Sequence, residues 1–328
     1  MTSIDNKLSS LNPDLNFLRS FRTKNRLDKT VFFYHIPKTG GLSFFNTIML
    51  AKQIYQRLCR VQPSFGGQGG VSGRVDSPEQ LADFAKKLEQ NPAAKCEMIA
   101  GHVPFGTHEF LPNDTELMTI IRNPIHRVKS AYQYKCMRSQ KKPSMDDFEC
   151  FIGSPDNQDV MFKQLCVPKD ELVEDVGIND WAERIASSFD YIGDISDLKL
   201  FQEFYLSRLG LPCVTYERFN QTLPQYKLDL SHYDQLIIEN NRRDMDLYQL
   251  LRRNRKLPDL SLFEMEPLHG VTAICYELEK EKSSQQTGGL MGTRYLVEQL
   301  ESNPAQFSDW PSAVKNIVNK GALELEYS

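Results

Sequence analysis

A short loop near the start of the chain places one lysine, two hydroxyl side chains and two glycines together. Residues 35–43 read His-Ile-Pro-Lys-Thr-Gly-Gly-Leu-Ser and begin at the end of an apolar, aromatic run at 31–36. Backbone N–H groups exposed where a strand turns into a helix bind phosphate oxygens, and the helix dipole adds to the attraction. The glycines let the backbone approach the anion, Lys38 adds a positive charge, and Thr39 and Ser43 add hydroxyl groups. The loop therefore predicts a phosphate site.

The order of residues in this loop differs from that of the Walker A loop. Walker A closes with Gly-Lys and then Ser or Thr, whereas here Lys38 precedes Gly40 and Gly41. This difference argues against an ordinary ATPase or kinase. A nucleotide kinase-like P-loop enzyme, which would depend on ATP and magnesium, is nevertheless kept as an alternative.

A second polar cluster, at 122–130, reads Arg-Asn-Pro-Ile-His-Arg-Val-Lys-Ser. Arg122 follows an apolar run at 116–121 that predicts a strand, and Ser130 lies inside a helix predicted from 125 to 138. The planar guanidinium group of arginine binds two phosphate oxygens at once. Arg122 and Ser130 together therefore predict a site for a second phosphate.

His102 supplies a group that can exchange a proton near neutral pH. It follows Gly101 at the end of a strand predicted over 96–100. An imidazole can act as a general base near neutral pH, although a lone histidine in such a place is more often a structural residue than a base. Each of the three polar clusters follows a strand, and ligands of doubly wound sheets bind beyond the carboxyl ends of the strands. We therefore expect the three clusters to line one crevice.

The elements that must position these groups alternate along the chain. Strands are predicted at 31–36, 96–100, 116–121, 191–193 and 213–216. Helices are predicted at 42–60, 77–90, 125–138, 198–209 and 231–253. This alternation predicts an α/β fold. A glycine-rich segment at 64–73 predicts a loop or a mobile flap over the substrate, and a linker at 283–289 followed by short helices predicts a mostly helical C-terminal extension.

The motifs resemble those of the sulfotransferases that use 3′-phosphoadenosine 5′-phosphosulfate (PAPS). The similarity is greatest to the branch that contains the heparan sulfate 2-O-sulfotransferases and their bacterial relatives, whose loop reads like His-Ile-Pro-Lys-Thr-Gly-Gly-x-Ser. It is carried by residues 35–43, 101–106, 122–130 and 240–248. The resemblance implies a P-loop-like central parallel sheet flanked by helices. It also implies an N-terminal arm, a sulfotransferase domain and a C-terminal extension, at 1–29, 30–265 and 266–328.

The resemblance also implies an in-line transfer of a sulfuryl group from PAPS to an acceptor hydroxyl. It favours a carbohydrate as the acceptor and leaves a lipid, a peptide tyrosine or a small metabolite open. As in phosphoryl transfer, the enzyme positions the groups and neutralises the charge that builds on the leaving oxygen. By this resemblance Lys38 and His102 are catalytic, the lysine as the stabiliser of that oxygen and the histidine as the base. The sequence leaves open the alternative that His102 donates a hydrogen bond to the sulfuryl oxygens. Arg122 and Ser130 bind the 3′-phosphate and so select PAPS over ATP. The 5′-phosphate is held by Lys38, by the Ser43 hydroxyl and by the amides of Thr39, Gly40, Gly41 and Leu42.

Two other basic features are open to more than one interpretation. Many bacterial relatives have an Asn…Arg-x-Leu segment after the 3′-phosphate helix, and the nearest match, at 157–166, has Lys163 near the place of the arginine. A basic cluster at 251–256 is interpreted as complementing a helix dipole or as a docking patch for an anionic acceptor such as a glycan.

The composition of the 328-residue chain limits its partners and its setting. The formal net charge is −4, so bulk attraction to nucleic acid or to an anionic membrane is not expected. Seven dispersed cysteines without a Cys-x-x-Cys pair predict reduced thiols in a cytoplasmic protein. Neither a membrane span nor a bound metal is expected, since the sequence has no sufficiently long apolar run and no cluster of metal ligands.

Two further alternatives belong to other classes of function. The chain could be a non-catalytic nucleotide-binding module that keeps the fold, although the presence of Lys38, His102 and Arg122 argues against a loss of activity. Alternatively, the main function of the chain is an interaction made by the extension at 266–328, and its enzymatic activity is secondary.

Overall fold

The computed structural model describes the chain in blocks between residues 29 and 325. The described residues are 29–41, 43, 44, 47, 48, 72–75, 77–90, 98–166, 177–208, 224–262, 271–277, 293–299 and 323–325. The predicted strand at 213–216, most of the predicted helix at 42–60 and Leu42 lie outside these residues.

Five parallel strands form the central sheet. They are β1 (Val31–Tyr34), β2 (Ser72–Val75), β3 (Met98–Gly101), β4 (Glu116–Ile121) and β5 (Tyr191–Asp194). Their order across the sheet is β2-β3-β1-β4-β5, and every neighbouring pair is parallel. The predicted α/β fold with a P-loop-like parallel sheet is therefore confirmed.

The central strand, β1, sets the position of the polar clusters. All four of its side chains are buried, as expected for a parallel strand covered on both faces. Val31 pairs with Met98 of β3 on one side and with Glu116 of β4 on the other. Because the carboxyl ends of adjacent parallel strands meet at one edge, the residues that follow β1, β3 and β4 lie side by side.

Helices follow or precede the strands throughout the described residues. They are α1 (Pro78–Gln90), α2 (Pro124–Ser139), α3 (Met145–Gly153), α4 (Val160–Cys166), α5 (Ile178–Ser188), α6 (Leu198–Arg208), α7 (Asp234–Asn240) and α8 (Arg242–Arg253). Side-chain caps fix the first residues of three of them, including α3, where Ser144 accepts from the amide of Asp147 at 3.3 Å. Ser77 accepts from the amide of Gln80 at 3.2 Å before α1, and Asn123 accepts from that of Ile125 at 2.9 Å before α2.

Two apolar clusters hold seven of these helices in place. The first packs α1, α4, α5 and α8 against the sheet and contains Phe32, Trp181 and Leu247. The second packs α2, α3 and α7 together around Phe148. Within the described residues, no helix is both long and apolar enough to cross a lipid bilayer.

The single helix predicted at 231–253 is wrong, because α7 and α8 are separated at Asn241. Its backbone leaves helical geometry, with φ −130° and ψ 40°. Its side-chain amide donates to the carbonyl of Ile237 at 3.0 Å, and its side-chain oxygen accepts from the amide of Asp159 at 3.1 Å. The bond to Asp159, which is distant in the sequence, fixes a break that the helical pattern does not reveal.

The predicted loop at 64–73 is wrong at its end, because β2 begins at Ser72. This strand pairs with β3, with Ser72 opposite Met98 and Val75 opposite Gly101. The glycine-rich composition of the segment disfavours a strand, so it is the edge of the sheet that imposes the extended conformation.

The C-terminal extension contains strands where helices were predicted. β6 (Val271–Glu277), β7 (Thr293–Gln299) and β8 (Leu323–Leu325) form an antiparallel sheet in the order β6-β7-β8. The prediction of a mostly helical extension is therefore wrong for these three described segments.

Candidate functional site

The loop after β1 turns sharply at its lysine. The hydroxyl and the amide of Thr39 both donate to the carbonyl of Ile36, at 2.9 and 3.4 Å. Lys38 has a φ of 70° and Gly40 a φ of 94°, which is the left-handed region that costs a side-chain-bearing residue about 1–2 kcal/mol. The amide of Phe44 then donates to the carbonyl of Gly40 at 3.0 Å, which begins a helical turn. This is the strand–turn–helix arrangement that the sequence predicts.

Gly41 allows His35 to pack against the loop. A Cβ atom at position 41 would lie 2.0 Å from Cδ2 of His35, closer than two carbon atoms can approach without a shift. The His35 ring also stacks on Phe33, with centroids 5.6 Å apart and planes at 17°. The glycine that was predicted to let a phosphate approach is thus also required by a neighbouring side chain.

A hydrogen bond joins the two predicted phosphate motifs. Nη1 of Arg122, just beyond β4, donates to the carbonyl oxygen of Lys38 at 3.0 Å. Because a guanidinium is charged, this bond is stronger than one between neutral groups, and it holds the loop against the neighbouring strand end. Ser130 lies farther along, half-buried within α2.

Tyr134 is a residue of the site that the sequence analysis missed. Nζ of Lys38 lies 3.7 Å from the centre of its ring, which is a cation–π contact. Tyr134 follows Ser130 by four residues, so both lie on one face of α2. The lysine contact therefore turns that face toward the loop. The four-residue spacing was the only feature of the sequence that pointed to Tyr134.

His102, directly after β3, is held by a main-chain carbonyl. Its Nδ1 lies 2.6 Å from the carbonyl oxygen of His35. Since a carbonyl oxygen only accepts, Nδ1 carries the hydrogen, and in the neutral ring Nε2 carries the lone pair. The two imidazole rings lie with centroids 4.3 Å apart and planes at 33°. This is the tautomer that a general base acting through Nε2 requires.

Gln164 of α4 makes a second contact to the same carbonyl and was also missed. Its Nε2 donates to the carbonyl oxygen of His35 at 3.2 Å, and its own main-chain carbonyl accepts from the amide of Phe105 at 2.8 Å. The sequence analysis had considered the neighbouring Lys163 instead. Lys163 is exposed and its Nζ donates to the carbonyl of Pro155 at 2.5 Å, so the two neighbours have different partners.

A buried ion pair anchors the helix that carries Gln164. The carboxylate of Asp244 accepts from the amides of Met161 and Phe162, at 3.3 and 2.7 Å, in the first turn of α4. Nε of Arg127 lies 3.7 Å from the same carboxylate. Burial raises the pKa of Asp244 to about 6, although the charge of Arg127 and the two amides oppose the rise. Burial also lowers the pKa of Arg127, so desolvation outweighs the attraction between the two charges.

A second histidine on the loop after β3, His108, is engaged with Tyr34. The Tyr34 hydroxyl lies 2.7 Å from Nδ1 of His108 and accepts from the His108 amide at 3.2 Å. Burial lowers the pKa of His108 and raises that of Tyr34. The neutral phenol therefore donates its hydrogen to Nδ1, and this histidine is bound to the core rather than to the loop after β1.

The basic cluster at 251–256 is divided between structural contacts and solvent. Nη1 of Arg255 lies 3.0 Å from the carboxylate of Asp197, and Nζ of Lys256 donates to the carbonyl of Phe189 at 2.9 Å. The two other arginines of the cluster are exposed in the last turn of α8, where they complement the helix dipole.

Comparison with known proteins identifies the family of this chain. A family model described as the sulfotransferase family matches residues 23–249, which is more than half of the chain. The chain belongs to the sulfotransferase family. All the residues predicted to bind the nucleotide or to act in catalysis lie within the part that matches the sulfotransferase model.

One curated relative among the sulfotransferases is the protein-tyrosine sulfotransferase of Arabidopsis thaliana. It is 30% identical over 115 residues, which are 34% of this chain and only 19% of the length of that relative. Among solved structures, the crystal structure of mouse sulfotransferase SULT7A1 complexed with PAP matches with a TM-score of 0.23 and 20% identity, over 41% of this chain and 43% of that one.

Proposed function

We propose that this chain is a PAPS-dependent sulfotransferase that transfers a sulfuryl group to an acceptor hydroxyl by in-line displacement. The observation that carries the proposal is the hydrogen bond from Arg122 to the carbonyl of Lys38, at 3.0 Å. It joins a loop suited to a 5′-phosphosulfate to a helix start suited to a 3′-phosphate. ATP has no 3′-phosphate, so a site with both features favours PAPS. Membership of the sulfotransferase family supports the same reaction.

In this proposal the loop after β1 binds the 5′-phosphosulfate. The amides of Gly40 and Gly41 at the helix start, with that of Leu42 and the hydroxyl of the buried Ser43, bind the phosphate oxygens. The amide and hydroxyl of Thr39 already donate to a carbonyl within the loop, so Thr39 supports the shape of the loop. Lys38 adds the positive charge next to the bridging oxygen.

Arg122 and Ser130 bind the 3′-phosphate in this proposal. A guanidinium has five N–H donors, so the bond from Arg122 to Lys38 is compatible with further bonds to phosphate oxygens. Binding at Arg122 would therefore tie the 3′-phosphate to the loop that holds the other end of the nucleotide.

The proposed step moves one proton and exchanges one S–O bond for another. The acceptor hydroxyl gives its proton to Nε2 of His102 while its oxygen attacks the sulfur. The bond from sulfur to the bridging oxygen breaks, and 3′,5′-adenosine bisphosphate (PAP) leaves with the charge that Lys38 neutralises. The alternative role for His102 is donation to the sulfuryl oxygens. The pH dependence separates the two, because a base must be neutral whereas a donor can be protonated.

Different observations favour two classes of acceptor. The resemblance of residues 35–43 to the loop of the heparan sulfate 2-O-sulfotransferase branch supports a carbohydrate hydroxyl, which is our first proposal. The Arabidopsis thaliana relative, named as a protein-tyrosine sulfotransferase, favours a tyrosine hydroxyl as the second. We also propose a cytoplasmic setting, which the free thiols of Cys136, Cys150 and Cys166 support.

Transfer from radiolabelled PAPS to glycans and to tyrosine-containing peptides tests this function. We expect K38M to lower the rate by about 10²–10³-fold and H102N to lower it by about 10²–10⁴-fold. H108N, on the same loop but bonded to Tyr34, is the matched control and should change the rate little. Full rates in both K38M and H102N would contradict the proposal, and phosphoryl transfer from ATP with magnesium would favour the kinase-like alternative.

A further inference from the structure

We infer that Gln164 is a positioning residue that fixes the tautomer and the orientation of His102. This inference rests on the proposed function, in which His102 acts through Nε2. Gln164 itself does not contact the reacting atoms in our account, and it acts through the carbonyl group of His35.

One carbonyl oxygen receives both side chains. The oxygen of His35 accepts from Nδ1 of His102 at 2.6 Å and from Nε2 of Gln164 at 3.2 Å. A carbonyl oxygen has two lone pairs, so these two bonds fill its accepting capacity. With the amide of Gln164 on one lone pair, the other is directed to Nδ1–H of His102, and water is kept from competing for the oxygen.

Gln164 also holds the loop that carries His102. Its main-chain carbonyl accepts from the amide of Phe105 at 2.8 Å, three residues after His102. The side chain and the backbone of one residue therefore fix the oxygen that His102 binds and the segment on which His102 lies. The two contacts join the ends of β1 and β3 to α4.

The helix that presents Gln164 is itself firmly held. Asp244 binds its first turn through the amides of Met161 and Phe162. The flanking Leu165 and Cys166 are both fully buried. Because α4 is fixed at its start and along its apolar face, the amide of Gln164 is a defined donor rather than a mobile surface group.

The loss of this donor should reduce catalysis more than nucleotide binding. In Q164M one lone pair of the His35 carbonyl opens to water, and the bond that sets the tautomer of His102 loses its support. Residues that orient a catalytic imidazole through hydrogen bonds are worth about 10- to 100-fold. We expect kcat to fall by about tenfold in Q164M, with the KM for PAPS within about twofold of the wild type.

Nitrogen NMR of the histidine side chains tests the inference without relying on the reaction. The His102 signals, assigned by their loss in H102N, should show hydrogen on Nδ1 in the wild-type chain. Q164M should shift His102 toward a mixture of tautomers, whereas K163M, at the exposed neighbour, should change neither the tautomer nor kcat. An unchanged tautomer and kcat in Q164M would overturn the inference.

Q164E provides an independent test if Q164M does not fold. The glutamate is nearly isosteric, but when ionised it cannot donate to the His35 carbonyl, and a negative charge introduced beside the carbonyl that His102 binds should raise the pKa of the imidazole. The acid limb of the pH–kcat profile should move up by about one pH unit, and an unmoved limb would overturn the inference. If H102N instead retains full transfer, the proposed base fails, while the NMR result still decides the role of Gln164.

Discussion

Single residues at the end of β1 serve the packing and the proposed chemistry at the same time. The Lys38 carbonyl accepts from Arg122 while its ammonium lies 3.7 Å from the centre of the Tyr134 ring. The ring of His35 packs on Gly41, and its main-chain carbonyl accepts a hydrogen bond from His102. A change that moves any of these groups should therefore affect both the folded loop and the nucleotide site.

Replacing Gly41 by alanine should destabilise the chain and weaken nucleotide binding. The new Cβ would lie 2.0 Å from the ring of His35, so the ring or the loop must move, and overpacking of this kind costs about 1–3 kcal/mol. Urea unfolding and calorimetric titration with PAP measure the two effects. In the control G153A nothing lies within 4 Å of the added atom, and both quantities should stay near those of the wild type. Wild-type values in G41A would show that the packing of His35 is not what requires this glycine.

The sequence could predict the residues that belong to short motifs, but not those that only a distant partner brings to the site. Lys38 and Arg122 belong to short motifs in which the residue types and their spacing already indicate phosphate binding. Gln164 bonds to His35 across 129 positions, and the ring of Tyr134 contacts the ammonium of Lys38, which is far away in the sequence. Apart from the four-residue spacing between Ser130 and Tyr134, no local pattern distinguishes such residues from ordinary helix residues.

At the scale of the elements, α4 depends on its neighbours. A helix of 7 residues is too short to be stable alone, and its first turn is held by the Asp244 carboxylate from α8. Arg127 of α2 lies against the same carboxylate. Arg127 and Asp244 thereby link α2, which contains Ser130, to α4, which carries Gln164.

The pH dependence of the free energy of unfolding should reveal that the Asp244 carboxyl is buried. Burial raises its pKa to about 6, above its ordinary value of 3.8, so between these two pH values the folded state binds a proton that the unfolded state releases. This contribution stabilises the fold fully below about pH 4 and is lost as the pH rises through 6. The free energy of unfolding of the wild type, relative to D244N, should therefore fall between pH 4 and 6 by up to about 1.4 kcal/mol per pH unit. Urea unfolding at several pH values measures it, and a difference that is constant or rises with pH would contradict the burial of this carboxyl.

Elements with local patterns were predictable, and those fixed by tertiary contacts were not. The strands at 31–36 and 116–121 are short apolar runs, and the helix after Ser77 carries its own cap. The break at Asn241 depends on a bond to Asp159, so a continuous helical pattern hides it.

At the scale of the whole molecule, the order of the strands creates the site. Because β1 lies between β3 and β4, the loop after β1, His102 and Arg122 come together at one edge of the sheet. The alternation of strands and helices was enough to predict this architecture. It was not enough for the extension, whose strands β6 and β7 pair antiparallel, Val271 with Gln299, across a segment that composition alone assigns to a linker.

Calorimetric titration with PAP and with ATP tests the central claim, a site built for two separate phosphates. Charge-assisted hydrogen bonds to the 3′-phosphate are worth about 1.5–3 kcal/mol each, so ATP should bind at least about tenfold more weakly than PAP. R122M should reduce this preference, whereas K129M, which removes a cation of α2 that pairs with Asp234, should preserve it. A clear preference for PAP that depends on Arg122 is the result we predict. Equal or tighter binding of ATP, or no binding of either nucleotide, would contradict the two-phosphate site and with it the proposed sulfuryl transfer.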